Sequence, residues 1–300
     1  MNDYGIENIR KELEKILSNE LKRIGILCRL FSRIKNANSI EDKLNKKQYS
    51  NNDKLMQDLF GFRVATYFND DLEIVVGLCQ SLFEEEELVY DEPKAEEFKP
   101  LRKNMICRLP DDLLTTYNEV KCSNKEFYKF IDSTFEIQFR TTLSEGWHEV
   151  EHLMRYKCKS EWEQLQNENR MLNGIYATLE TSDQALKALF DNVAYHHYKG
   201  KNWEAMLRNK LRLRFSLNSL DNQFIDYLNK NPNMGKEIFK LDRNEIIYKY
   251  IEAKLSLPTT FDNWFLFINY FFCKDEEILS KTPDVLIREF DDHSPLTQTP

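Results

Sequence analysis

The chain has no Cys-x-x-Cys pair among its six cysteines, and only five histidines accompany them. The commonest zinc sites draw thiolates and imidazoles from short, regular spacings, and no such spacing appears. Cys28, Cys79, Cys107, Cys122, Cys158 and Cys273 are scattered and read as reduced cytosolic thiols. Long apolar runs are missing too. Stretches such as Trp264 to Phe272 fall far short of the roughly 20 residues a membrane helix needs. Met1 to Lys11 is polar and charged, without a signal peptide's apolar centre, so a cytoplasmic protein with no membrane partner is expected. Gly-x-Ser-x-Gly, a Walker loop, Gly-x-Gly-x-x-Gly and His-Glu-x-x-His are all absent, which removes the commonest hydrolase, nucleotide-loop and zinc-protease signatures. No internal repeat or low-complexity tract is present.

What remains is a chain of 300 residues, 41% apolar and 31% charged. That suits a soluble fold of one large or two modest domains. The net charge of −8 argues against bulk nucleic-acid binding and leaves room for a local basic groove. Ile6, Ile9, Leu13, Ile16, Leu17, Leu21, Ile24 and Leu27 recur at helical spacing and predict one helix over 4–31. Residues 36–57 are polar, with a turn at Ser50-Asn51-Asn52. Strands are expected at Phe62 to Phe68, Asn104 to Leu109 and Thr134 to Arg140, with a further one at Tyr117 to Cys122. Asp70-Asp71 is placed to cap a helix over 71–83, which the solvated acidic run Phe83 to Glu87 ends. Leu143 to Tyr156 reads as helical. Beyond about residue 160, strand signals nearly vanish. The division expected is 1–160 as an α/β (α+β) domain, 161–290 as an all-helical C-terminal region, and 291–300 as a disordered tail.

Three polar segments stand out. Arg33, Lys35, Ser39 and Lys43 form a cationic entry in which a helix opened by Ser39 puts Lys43 one turn further along the same face. Arginine forks and lysine point charges grip phosphate oxygens, and an ordinary basic surface loop has the same composition. Asp58 precedes one expected strand, which carries Arg63. Glu136, Gln138 and Arg140 share one face of another, while Phe135, Ile137 and Phe139 take the core face. Magnesium prefers a few carboxylates together with substrate phosphates, which Asp58 and Glu136 would provide on adjacent strands. Arg63 would neutralise charge on a transferred group.

In order along the chain stand Arg33-x-Lys35-x-x-x-Ser39-x-x-x-Lys43, Asp58-Leu-x-Gly-x-Arg63, Glu136-Ile-Gln138-x-Arg140-Thr and Trp147-x-x-x-Glu151-His152-x-x-x-Tyr156-Lys157. Over about residues 20–160 this resembles the synthetase domain of the RelA/SpoT alarmone synthetases. The resemblance implies a nucleotidyltransferase-like mixed sheet flanked by helices. It implies transfer of pyrophosphate from ATP to a 3′-hydroxyl of an acceptor nucleotide, with Mg2+ as cofactor. Arg33, Lys35, Ser39 and Lys43 would bind ATP, Arg63 would position it, and Asp58 and Glu136 would hold the metal. Glu136 is alternatively the group that deprotonates the acceptor. Gln138 and Arg140 would support the acceptor, while Trp147, Glu151 and His152 would brace the sheet.

The chain departs from the resemblance where the family carries Lys-Pro-Asn-Gly-Tyr-x-Ser-x-His, whose tyrosine stacks on guanine. Here the stretch is Lys99-Pro100-Leu101-Arg102-Lys103-Asn104-Met105-Ile106-Cys107, with Lys103 in the tyrosine's place. A lysine offers no flat stacking face. Arg102, Lys103 and Arg108 make the segment basic and suit a phosphate-rich acceptor. Three readings stay open: a different acceptor, an adenine nucleotide or the 3′ end of tRNA, as for toxic relatives; guanine held by Tyr117, Tyr128 or another aromatic; or a nucleotide-sensing or partner-binding module without turnover. Basic and aromatic residues interleave from Tyr195 to Phe215, which suits either a nucleic-acid backbone or an amphipathic helix with solvated cations. With no hydrolase-type histidine cluster, a separate antitoxin or regulatory protein is expected if the product is toxic.

Overall fold

The first helix, α1 (Tyr4–Ile24), ends at a glycine. Gly25 adopts φ of 81° and its amide donates to the carbonyls of Leu21 and Lys22, a left-handed helix stop. The helix expected over 4–31 therefore stops early, and Cys28–Ile34 forms the strand β1 instead. The structure is a computed structural model that describes residues 4–47, 55–92, 98, 103–216 and 218–292. The expected turn at Ser50-Asn51-Asn52 and the tail from residue 293 onward lie outside the described residues. Asp291 and Asp292 close the helix Asp284–Asp292.

The chain divides into two compact units, 1–19 with 28–184, and 20–27 with 185–300. The first holds a five-stranded mixed sheet in the order β1-β2-β5-β4-β3. Its further strands are β2 (Phe60–Thr66), β3 (Glu85–Tyr90), β4 (Lys103–Arg108) and β5 (Thr134–Thr141). β2 and β5 run parallel, while β1 on β2, β4 on β5 and β3 on β4 are antiparallel. The helices α2 (Ala37–Lys47), α3 (Asp71–Leu82), α4 (Asp111–Ser123), α5 (Lys125–Tyr128) and α6 (Thr142–Val150) punctuate it. A π-helical turn (Glu151–Tyr156), the short α7 (Lys159–Trp162) and the start of α8 (Gln166–Lys199) follow.

Alternation sorts β5 cleanly: Phe135, Ile137 and Phe139 are buried, while Glu136, Gln138 and Arg140 are half-buried on the other face. Phe62 and Phe83 meet the Phe135 ring edge-on. Two sequence expectations are corrected here. Tyr117 to Cys122 is helical, because Leu113, Tyr117 and Val120 recur at helical spacing and are all buried. The acidic run 83–87 runs into the edge strand β3, although its glutamates are exposed as expected.

The second unit is helical apart from an isolated bridge between Ile26 and Leu213. After α8 come α9 (Trp203–Leu211), α10 (Asn222–Lys230), α11 (Pro232–Lys240), α12 (Arg243–Glu252), α13 (Phe261–Ile268), α14 (Glu276–Lys281) and α15 (Asp284–Asp292). Its core is aromatic, with Tyr250 stacked on Trp264 and Phe267 edge-on to both. Gly235 on α11 lies against the ring of buried Trp203, where any Cβ would overlap it. The indole is also fixed by its bond to Asn229 (2.9 Å), so it cannot give way. Gly235→Ala should destabilise this unit by about 1–3 kcal/mol, the usual cost of overpacking. A thermal melt unchanged from the parent would refute that packing. Among the described residues, no helix is long and apolar enough to cross a membrane.

Candidate active site

Strand register assembles the sequence motifs. Arg33 on β1 stands opposite Gly61 on β2, and Gly61 opposite Glu136 on β5. One pair further on, Phe31, Arg63, Gln138 and Asn104 lie side by side across four strands. Partners directly across a sheet share a face, so Arg33, Arg63, Glu136, Gln138 and Asn104 occupy the same one. Gly61 leaves the row between Arg33 and Glu136 without a side chain. Phe31, Arg33, Gly61, Arg63, Gln138, Glu145 and Glu149 border a cavity of about 440 Å³.

Asp58 sits just before β2, between two ammonium groups. Lys35 Nζ lies 2.6 Å from its Oδ2 and Lys43 Nζ 2.7 Å from its Oδ1. Burial alone would raise the carboxyl's pKa, but bonding and attraction to the two lysines outweigh it and hold the group below its ordinary range. Lys35 shifts downward in turn, first through burial, with Lys43 and Arg33 adding repulsion against the pull of Asp58. Ser39 does not open α2. Its amide donates to Asn36 Oδ1 (2.8 Å), making Asn36 the cap and placing Ser39 in the first turn.

Glu136 is held by amides. Asn104 Nδ2 donates to its Oε1 (2.9 Å) and Gln138 Nε2 to its Oε2 (3.0 Å). The Gln138 carbonyl oxygen accepts from Arg63 Nε (3.2 Å) and from an Arg140 nitrogen (3.4 Å). Glu145 on α6 pairs with both Arg63 and Arg140, and Glu149 pairs with Arg63. Asn104, Glu145 and Glu149 were missed by sequence reasoning. The only signal was the spacing of Glu145 and Glu149, one helical turn apart just past a motif.

This order of motifs, converging on one sheet face, is matched by a family model. Residues 32–161 fit the region found in RelA / SpoT proteins. Residues 32–161 are therefore a RelA/SpoT region. No curated protein matches the chain. Among solved structures, a GTP pyrophosphokinase family protein from Streptococcus pneumoniae is similar, at 20% identity and a TM-score of 0.45, over 64% of this chain and 92% of that one. The small alarmone synthetase 1 from Bacillus subtilis shows 18% identity and a TM-score of 0.43, over 62% of this chain and 92% of that one.

Within the RelA/SpoT region, not every sequence-derived site residue converges. Lys103 pairs with Tyr90 across β4 and β3, out of phase with Asn104, so its side chain takes the face opposite Glu136. It is buried, ion-paired to Glu73, and its ammonium sits 4.6 Å from the Tyr90 ring centre. Arg102 lies outside the described residues. Arg108 is exposed and engages Glu84 and Glu86. Tyr117 and Tyr128 are packed edge-on beneath the sheet and offer no open ring face.

Trp147 Nε1 donates to the Leu172 carbonyl (2.8 Å), Glu151 pairs with Arg155, and His152 stacks on Tyr156. His148, one turn before His152, is pushed down to about 3 by burial and by the nearby Arg140 and Arg63. Its imidazole should show no titration by NMR between about pH 5 and 8; a midpoint near 6 would refute this environment. In the second unit, Lys210 donates to the carbonyls of Phe239 and Leu241, and burial takes its pKa down to about 8. Arg212 pairs with Asp191, Tyr198 stacks on Phe239, and Trp203 is buried. Those four residues of the basic-aromatic stretch are used in internal contacts, while Lys199, Lys201, Arg208 and Arg214 are exposed.

Proposed function

We propose that the chain is an ATP-dependent pyrophosphokinase of RelA/SpoT type. The observation that carries this is that Asp58, just before β2, is paired with Lys35 and Lys43, while Glu136 on the parallel neighbour β5 shares a sheet face with Arg33 and Arg63. Acids set among cations at and beside one sheet face suit a magnesium-bound polyphosphate. In this reading the lysines and Arg33 bind the ATP phosphates and Arg63 orients ATP. Glu136 takes the proton of the acceptor's 3′-hydroxyl. The acceptor oxygen bonds to the β-phosphorus of ATP, the bond from that phosphorus to the α–β bridging oxygen breaks, and AMP leaves.

The family implies magnesium, and the donor set fits it. Magnesium needs only one or two protein carboxylates when phosphates and waters complete its shell. Asp58 and Glu136 would hold it, with Asp58 exchanging a lysine contact for the ion, which would supply charge neutralisation on the phosphates. No denser cluster of ligating side chains occurs among the described residues.

Incubation with γ-labelled ATP, magnesium and a panel of guanine and adenine nucleotides and tRNA tests the reading. The label should move to one acceptor with AMP, not ADP, as co-product. Intact ATP after exposure to the whole panel would overturn it. Label on the tRNA 3′ end alone would identify a tRNA-directed toxin.

A further inference from the structure

A second cavity, of about 330 Å³, lies at the end of β5 within the first unit. That volume is within the range of small-molecule sites. Tyr90, Lys103, Phe139 and Thr141 border it, and strand alternation puts all four on the sheet face opposite Glu136. Arg140, which also borders it, is on Glu136's face. It is a different cavity from the one that Arg63 and Gln138 border.

Its walls carry an excess of acid. Glu73, Asp91, Glu180 and Asp183 supply carboxylates, against Lys103 and Arg140 as cations. Both cations are already engaged, Lys103 by Glu73 and Arg140 by Glu145. His148 is part of the wall too, and with its pKa pushed down to about 3 it adds no charge at neutral pH.

The two acids on α8 are the informative ones. Glu180 and Asp183 stand three residues apart, which puts them on one side of the helix. No ion pair or side-chain hydrogen bond engages Glu180 among the described residues. Asp183 is only 6% exposed. Its Oδ2 accepts the Thr141 hydroxyl (2.6 Å), while its Oδ1 has no hydrogen-bond partner among the described residues. Asn69 Oδ1, from another wall residue, is unmet in the same way. Buried acceptors left unmet are costly. Burial raises the pKa of both carboxyls; at Asp183 the Thr141 bond opposes the rise and the Glu180 charge adds to it. A cation bearing N–H donors meets these acceptors and cancels the repulsion.

A bare metal ion fits poorly, because no cluster of three ligating side chains occurs among the described residues. Leu72, Phe139 and Tyr176 add apolar wall, which an alkyl stem can cover. The acids also come from separate elements, Glu73 on α3, Asp91 just after β3, and the pair on α8, so more than one cationic head is matched. We propose that this cavity binds an alkyl polyamine, with one ammonium group on Glu180 and Asp183 and the stem along the apolar wall. The site stands whether or not the other face of the sheet transfers pyrophosphate.

The test is calorimetric titration of the full chain with spermidine at about 0.15 M salt. Nucleotide is left out, because it would itself bind a polyamine. One spermidine should bind per chain, roughly tenfold tighter than butylamine, which offers a single head; one hydrogen bond between charged groups is worth about that factor. Asp183→Asn and Glu180→Gln should each weaken spermidine about tenfold. Glu87→Gln, on exposed β3, should leave it within about twofold. A thermal melt of each variant reports folding, and the half-exposed Glu180 carries the test if Asp183→Asn unfolds. No binding at millimolar spermidine, or binding no tighter than that of butylamine, overturns the proposal. Equal losses in Glu87→Gln and Glu180→Gln overturn it as well and mark diffuse attraction to an acidic chain. Displacement by equimolar Mg2+ overturns it in favour of an inorganic cation.

Discussion

Glu136→Gln should lower pyrophosphate transfer by about 10²–10⁴-fold, the usual contribution of a positioned proton acceptor. The carboxylate takes one amide donor on each oxygen, from Asn104 and Gln138. Those bonds fix its orientation at the start of β5, beside the open row at Gly61. A glutamine keeps the size but turns one oxygen into an NH₂ that meets a donor, so it loses both basicity and one bond. ATP-analogue binding should stay within about threefold, since the phosphate-gripping cations are on β1, β2, α2 and the β1–α2 turn rather than on β5. Single-turnover rates with labelled ATP, alongside a thermal melt, separate the chemical loss from unfolding. A rate within about tenfold of the parent would remove Glu136 from the chemistry.

Asp58→Asn should be nearly as severe, with transfer down about 10²–10³-fold, in line with losing one preorganised charge at a phosphoryl centre. The second effect runs the other way. Asp58 ties up Lys35 and Lys43, so its neutral variant frees both for phosphate. Without magnesium, the ATP analogue should bind the variant at least as tightly as it binds the parent. Weaker binding under those conditions would mean that Asp58 organises the lysines rather than competing for them. Acid stability follows from the same pairs. Because the folded-state pKa of Asp58 is lowered, its stabilising contribution is complete above its ordinary value and is lost as pH falls through the folded value. Asp58→Asn should therefore flatten the acid limb of the stability profile.

Much of the site was legible because β-strand alternation has a period of two. Glu136-x-Gln138-x-Arg140 could only share a face, and the register confirms that they do. The same rule, applied to Lys103 and Asn104, would have put Asn104 beside Glu136 and Lys103 on the other face. That needs the phase of β4 relative to β5, which no local pattern gives. β1 was hidden because the apolar spacing of α1 continues past Gly25, and only the positive φ of that glycine breaks it.

β3 stands at the end of the strand order, and the backbone of an edge strand has the geometry that invites another strand to add on. Glu85, Glu86 and Glu87 all lie on it, exposed, with a register irregularity between Glu85 and Glu87. A second copy pairing there would bring like charges together along a kinked ladder. Like charge and a kinked ladder both disfavour sheet extension from this side.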